Sequence, residues 1–373
     1  MDRLHSGMSS WHLAVLLVLA SLLYFTTLVV WRLYFSPTAG FPGSRLAAAT
    51  GWYESYYDYW LNGQYMFEVE RMHQKYGPII RVNPDELSIH DPSFYNEVYV
   101  TRNIRCTNNY DHLLKGINFA DSHFLTTDHD LHRKRRKPLE PFFSRAGVTN
   151  LQPMLSELAR RMETRIQEFK DQHLPIRLDH VFTAFTGDAI QKLCLGEDAK
   201  FLSGPDFSPE CFPVAREKAT SHIQRVLQER GKPKGTVSLF RFIVHQSDMP
   251  KSELSEDRLI NEAQTLLGAG TASASSAMRL ASYYILSRPG LQNRLQTELG
   301  DVMADWPHQG PTWAQLEALP LLQAIVKESL RLSYGTVRRL PRVFPNDDIQ
   351  YKEHVIPRGV GVPLLELEPK LSL

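Results

Sequence analysis

From Trp11 to Trp31 the chain runs 21 residues without Asp, Glu, Lys or Arg, rich in Leu, Val and Ala. That length matches one bilayer crossing, and a tryptophan at each end suits the headgroup interface. A cleaved signal peptide would show a shorter apolar region closed by a small-residue cleavage site, so a retained anchor over 11–31 is the better reading than a signal or a core helix. Orientation is ambiguous from charge, since Arg3 and the terminal amine precede the segment while Arg32 and Arg45 follow it. In Ser36-Pro37-Thr38-Ala39-Gly40-Phe41-Pro42-Gly43 two prolines and two glycines forbid helix continuation. Residues 32–50 therefore read as a hinge, with a short segment 1–10 ahead of the anchor.

Beyond the hinge, Tyr65 to Tyr76 has helical apolar spacing and stops at Gly77-Pro78. The period then changes: Ile79 to Val82 and Glu86 to Ile89 flank the turn tripeptide Asn83-Pro84-Asp85, which predicts an antiparallel hairpin. From about Asp130 the pattern is mostly helical. Leu151 to Lys170 alternates apolar and charged residues at a 3.6 period, and Thr183 to Leu195 is mostly apolar and closed by Gly196. Gly231-Lys232-Pro233-Lys234-Gly235 is a loop. Ser255 is a plausible N-cap, with Glu256 and Asp257 where the helix dipole favours acids; the helix it opens should run about thirty residues to Ser287-Arg288-Pro289-Gly290. Pro320 to Leu332 reads as a further helix and Asp348 to Pro357 as strand.

Composition narrows the function classes. With 373 residues and 43% hydrophobic content the chain can bury a sizeable core. Forty-two Lys and Arg against 41 Asp and Glu leave no global field to draw a nucleic acid or an acidic substrate. Three cysteines, Cys106, Cys194 and Cys211, are widely spaced with no CxxC pair, which indicates neither a disulfide framework nor a zinc cluster.

Three places could carry chemistry. Leu267-Gly268-Ala269-Gly270-Thr271-Ala272-Ser273-Ala274-Ser275-Ser276 sits inside the long helix, where each glycine costs about 1 kcal/mol relative to alanine. Tight helix packing would explain the missing side chains; so would a flat ligand lying on the helix, with Thr271 or Ser273 bonding a carbonyl one turn back. Glu328 and Arg331 stand one turn apart and can pair, and Leu322, Ile325 and Val326 suggest a buried setting in which an unpaired charge would be expensive. Arg133-Lys134-Arg135-Arg136-Lys137 is a run of five cations. Without interleaved aromatics it is a poor nucleic-acid site, and a docking patch for an acidic protein fits better. His132 and Arg136, four apart, can reach one anionic group from a single helix face.

Taken together these segments resemble the cytochrome P450 family, especially the microsomal P450s of fungal secondary metabolism. Tyr76 to Leu87 resembles the family's first strand pair, and His132 to Ser144 is similar to its C helix, where the positions of His132 and Arg136 contact heme propionates. Gly268 to Ser273 falls on the oxygen-activation motif of the I helix, Glu328 and Arg331 on the K-helix ExxR pair, and Arg342, after Pro341, on a following propionate-binding arginine. The resemblance implies a mainly α fold with small β-sheets, heme as cofactor, and insertion of one oxygen atom into an apolar small molecule, terpenoid or polyketide in type. It implies Ser273 and Thr271 as candidate catalytic hydroxyls, and Ala269 and Gly270 as the surface against heme. It also implies a single-pass protein of the endoplasmic reticulum membrane with its catalytic domain in the cytosol, taking electrons from NADPH-cytochrome P450 reductase docked on Arg133, Lys134, Arg135 and Lys137. Residues around Tyr110 to Phe124 resemble the segment that lines the family's pocket.

Two departures from the pattern stand out. Where the family places an acid followed by Thr, this sequence has Ala272 and Ser273, so a hydroxyl remains without its acidic partner. The resemblance fades after Pro363, and no Phe-Gly-Arg-Cys-type heme loop occurs in the 373 residues. Residues 51–363 thus read as a P450 domain incomplete at its C-terminus and 364–373 as an aberrant tail, a chain expected to be inactive as written; the alternative is a non-catalytic, membrane-anchored P450 remnant. Exposed apolar surface on the I and K helices is the expected consequence.

Overall fold

The computed structural model describes residues 10–99, 105–110, 121–207, 211–229, 238–333 and 339–364, with the side chains of 211–215 outside that set. The loop expected at 231–235, most of the expected pocket segment at 110–124 and nearly all of the 364–373 tail lie outside the described residues. The chain is mostly helical with two small sheets and divides into two compact units.

The first unit holds the N-terminal region and the sheets. Helix α1 (Ser10–Tyr34) contains the apolar span, and its 24 residues from Trp11 to Tyr34 bury nothing inside the protein. Helix α2 (Tyr65–Tyr76) has the bounds the spacing predicts and buries Tyr65, Val69 and Met72, the i, i+4, i+7 stripe of an amphipathic helix. Strands β1 (Ile79–Asn83) and β2 (Glu86–Ile89) form the expected antiparallel hairpin, Ile79 opposite Ile89 and Arg81 opposite Leu87. They belong to a five-stranded sheet with β3 (Asn108–Asn109), β4 (Arg342–Val343) and β7 (Gly361–Val362), in the order β1-β2-β7-β4-β3. Asp348 to Pro357, read as strand, is a second hairpin, β5 (Ile349–Tyr351) against β6 (His354–Ile356). Ile79, Leu87, Ile89, Phe344, Ile349 and Ile356 are among the buried side chains that form one cluster.

The stretch read as a hinge is bonded to this unit along its length. Arg81 is 2% exposed, and its guanidinium donates to the carbonyls of Arg32 (2.7 Å), Asn83 (3.3 Å) and Pro84 (2.8 Å). Ser36 Oγ donates to the same Arg32 oxygen at 2.8 Å, and the Arg81 amide donates to Pro42 O at 2.7 Å. At Gly43 a Cβ would lie 2.5 Å from the Arg81 carbonyl oxygen, a close approach open only to glycine. The Arg32 carbonyl near the end of α1 is thus bonded by Arg81 of β1.

The second unit is helical: α3 (His129–Arg136) from residue 130 on, α4 (Gln152–Asp171), α5 (Leu178–Leu195), α6 (Cys211–Gln228), α7 (Leu239–His245), α8 (Glu256–Ser287), α9 (Pro289–Leu299) and α10 (Pro320–Leu332). Helix α5 begins five residues before the predicted Thr183 and ends, as its sequence suggests, on a left-handed Gly196. The 32 residues of α8 span about 48 Å at 1.5 Å per residue. Leu195, Ile223, Leu239, Phe240, Leu259 and Ala263 lie in the core between α5, α6, α7 and α8.

Candidate active site

Helix α8 opens at Ser255, whose backbone takes the extended N-cap conformation without a side-chain bond, followed by Glu256 and Asp257 in the first turn. Its midsection presents two chemically different faces. Gly270 packs on α5 so closely that a Cβ would meet Ile190 Cγ1 at 2.7 Å, and Thr271 is buried beside Gly187. Thr186 Oγ1 donates to the Thr271 carbonyl at 3.0 Å, while Thr271 Oγ1 donates back to Leu267 O at 2.7 Å. The opposite face carries Ala269, Ala272 and Ser273, all exposed. Ser273 Oγ donates to Ala269 O at 2.7 Å. Both hydroxyls therefore bond one turn back, but they do so on opposite sides of the helix. Of the two explanations for the small residues, packing accounts for Gly270 and Thr271; an open, nearly flat surface accounts for Ala269, Ala272 and Ser273.

The N-terminal half of α8 is tied to α3 through buried charge. Glu262 is fully buried and pairs with Arg258 at 2.8 Å, four residues earlier, with 4% of the Arg258 side chain exposed. Glu262 also accepts from the His123 amide at 3.0 Å and bonds His123 Nδ1. Arg135 donates to Glu253 at 2.6 Å and to Thr126 Oγ1 at 2.9 Å; that bond from Arg135 holds the Glu253 carboxyl below the usual carboxylate range. This corrects the docking run, because Arg135 faces inward while Arg133, Lys134, Arg136 and Lys137 are exposed. His132 is half-buried, its ring 6.4 Å from that of His123. The network was legible in part: Arg258 and Glu262 are an i, i+4 pair in an otherwise apolar stretch. Its partners come from tertiary packing.

Glu328 and Arg331 do pair on α10, at 2.6 Å, and the bond lowers the carboxyl's pKa. The expected buried setting is not found, since the Glu328 side chain is 54% exposed. Val326 and Leu330 are likewise exposed, and Ser329 is the buried residue of the helix. On α8 Tyr283 and Leu286 are also open. In the first unit Arg342 on β4 is half-buried, with its guanidinium 5.7 Å from the Tyr99 ring centre. Sequence reasoning missed Arg339 nearby, which is 8% exposed, bonds Glu54 (2.6 Å) and Glu86 (3.2 Å), and lies over Tyr65. The doublet Arg338-Arg339 ahead of Pro341-Arg342 was the available signal.

The two described cysteines fall in different units. Cys194 is fully buried in the apolar core, and burial pushes its thiol pKa up, so it stays protonated. Cys106 belongs to the sheet unit and its thiol donates toward Asn108 Oδ1 at 3.9 Å; the side chain of Cys211 is outside the described residues. Ala269, Ala272 and Ser273 fit a flat aromatic cofactor.

Comparison with known proteins gives the family. The cytochrome P450 family model matches residues 52–210 and 210–365. The chain is 42% identical over 389 residues to cytochrome P450 monooxygenase oblB of Cochliobolus heterostrophus, covering 91% of this chain and 74% of that protein. It is 42% identical over 403 residues to cytochrome P450 monooxygenase tndB of Aspergillus flavipes (91% and 83%), and 38% identical over 413 residues to fusicoccadiene C-8 hydroxylase of Phomopsis amygdali (95% and 78%).

Proposed function

The chain belongs to the cytochrome P450 family, and on that premise we propose that its residues build the oxygen side of a fungal secondary-metabolism hydroxylase, while these 373 residues do not themselves supply the thiolate that the reaction needs. The observation that carries the first half is the exposed Ala269-Ala272-Ser273 face of α8, small enough for a planar ring to lie against. Ser273 is the hydroxyl on that face; Thr271, turned into α5, holds the helix in place. With Ala272 in the acid's position, proton supply toward Ser273 falls to water. Heme, when bound with its thiolate, supplies the oxygen-inserting chemistry. His132, Arg136 and Arg342 are the candidate propionate contacts, and Ala269 rather than Gly270 is the residue against the ring.

An apolar, terpenoid- or polyketide-like substrate is supported by the relatives, one of them named for hydroxylation of a diene. Family members draw electrons from a reductase, and exposed Arg133, Lys134 and Lys137 offer it a cationic face. Helix α1 supports a membrane anchor; the endoplasmic reticulum and a cytosolic head follow from the likeness to microsomal members of the family. The test is paired: the chain alone and a chimera carrying the cysteine-bearing loop segment of a relative are expressed with reductase and fed hydrocarbon dienes. Only the chimera should yield mono-hydroxylated product. Turnover by the chain alone would overturn the thiolate argument; a chimera that holds heme but oxidises none of them would overturn the hydroxylase reading.

A further inference from the structure

Three buried polar side chains where α5, α6 and α7 meet have no part in the catalytic reading. Gln191 and His222 are each 1% exposed, and Ser238 is 3% exposed. Both amide atoms of Gln191, Nε2 of His222 and Oγ of Ser238 have no hydrogen-bond partner among the described residues. Buried polar side-chain atoms are nearly always bonded, because leaving one unpaired forfeits its hydration with nothing in return.

The three side chains belong to one neighbourhood. At one level the Phe201 ring lies between α5 and α6: a Cβ on Gly187 would meet its Cδ2 at 3.0 Å, and Lys218 Nζ stands 5.4 Å from its centre. Four residues further along each helix, on the same faces, are Gln191 and His222. At the end of α5 a Cβ on Gly196 would lie 3.2 Å from Ser238 Cβ, and the next residue, Glu197, bonds His222 Nδ1 at 3.1 Å. Leu195, Ile223 and Leu239, sequence neighbours of Gly196, His222 and Ser238, share one apolar cluster.

The hydrogen-bonding roles define what would fit. Arg225 Nη2 donates to Glu197 Oε1 at 2.8 Å, so that oxygen is an acceptor and His222 donates to it from Nδ1. Burial lowers the pKa of the imidazole, which leaves Nε2 a bare acceptor. Gln191 adds an acceptor in Oε1 and a donor in Nε2, and a serine hydroxyl can act either way. Ser238 holds the N-cap position of α7, yet its side chain makes no cap bond. Such a set is met by a small molecule that both donates and accepts, and the apolar cluster beside it makes a net charge on that molecule costly.

We propose that Gln191, His222 and Ser238 form a buried hydration site, in which bound water joins the end of α5 to α6 and α7. A buried water makes about three hydrogen bonds, and one to each side chain meets that number.

The test immobilises the full chain by cross-linking in detergent and records the oxygen-17 relaxation dispersion of the solvent, whose amplitude counts water held in the interior. The double variant Gln191→Leu/Ser238→Ala removes two of the three partners; Ser203→Ala, at an exposed serine, is the control. The amplitude should fall by about one water per protein in the double variant and hold in the control. An unchanged amplitude in the double variant, or an equal fall in the control, would overturn the site. Should the double variant not fold, crystals of the parent chain grown in a lipid mesophase decide. Water density within hydrogen-bond reach of Gln191, His222 and Ser238 upholds the site, and a direct Gln191–His222 bond or another protein group in that place overturns it.

Discussion

At the residue scale, two positions two apart decide how the long helix works. Thr271 and Ser273 are separated by about 200° around an α-helix, so one ligand cannot face both. That geometry was already implicit in the sequence, although which of the two faces outward was not; the answer comes from Ile190 and Gly187 on α5. Gly270→Ala gains up to about 1 kcal/mol of helix propensity but drives a Cβ into the branched Ile190 side chain, an overpacking that costs about 1–3 kcal/mol. Net destabilisation of up to about 2 kcal/mol is expected in chemical denaturation, and the penalty should shrink when the same change is made in an Ile190→Ala background. His73 gives a separate prediction. Gly77 O can only accept, so Nδ1 carries the proton and donates to it at 2.9 Å, and Nε2 accepts from Ser88 Oγ at 2.9 Å. Burial lowers the imidazole's pKa to about 4. The unfolded chain protonates His73 below about 6.5 and the folded chain resists until about 4. Its contribution is complete above the upper value and is lost as pH falls through the lower one, about 3 kcal/mol in all. Unfolding free energy should therefore fall between those limits, and His73→Gln should flatten that part of the profile.

Among the elements, those legible from the sequence were the ones with a strong local period: α2, the β1–β2 hairpin and the length of α8 follow from apolar spacing, turn residues and the Pro289 break. The start of α5 was missed although Leu178, Val181, Phe182 and Phe185 stand at i, i+3, i+4 and i+7; that stripe packs with Phe201 and Leu202. The setting of Glu328 was misread because apolar composition in α10 says that a surface wants covering, not that it is covered. At the hinge, Pro and Gly report where a helix must stop and are silent on what the following turn bonds to. Arg81→Ala tests that point. It strips a donor from three carbonyls; Arg32 O keeps Ser36 Oγ and Pro84 O keeps Thr38 Oγ1, so the loss falls on Asn83 O and on the packing of the buried Arg81 side chain, at about 1–3 kcal/mol. The variant should unfold at clearly lower denaturant and become sensitive to protease between residues 36 and 43, where the parent chain resists.

For the whole molecule, the named residues divide between the two units: the sheet unit carries the apolar helix α1 and Arg342, the helical unit carries the Ala269-Ala272-Ser273 face, His132, Arg136 and the Glu328–Arg331 pair. Exposed Tyr283 and Leu286 on α8, with Val326 and Leu330 on α10, make this unit prone to self-association, so detergent or lipid should suppress light scattering at raised concentration while salt alone should not. Cys194 cannot be recruited to iron without unfolding the core between α5 and α8. That makes the ligand of a bound heme the most direct test of the account. The full chain is loaded with hemin, reduced with dithionite and exposed to carbon monoxide, and the difference spectrum is recorded. The account predicts no thiolate-type Soret band; that band in the parent chain, lost in Cys106→Ala, Cys194→Ala or Cys211→Ala, would contradict it.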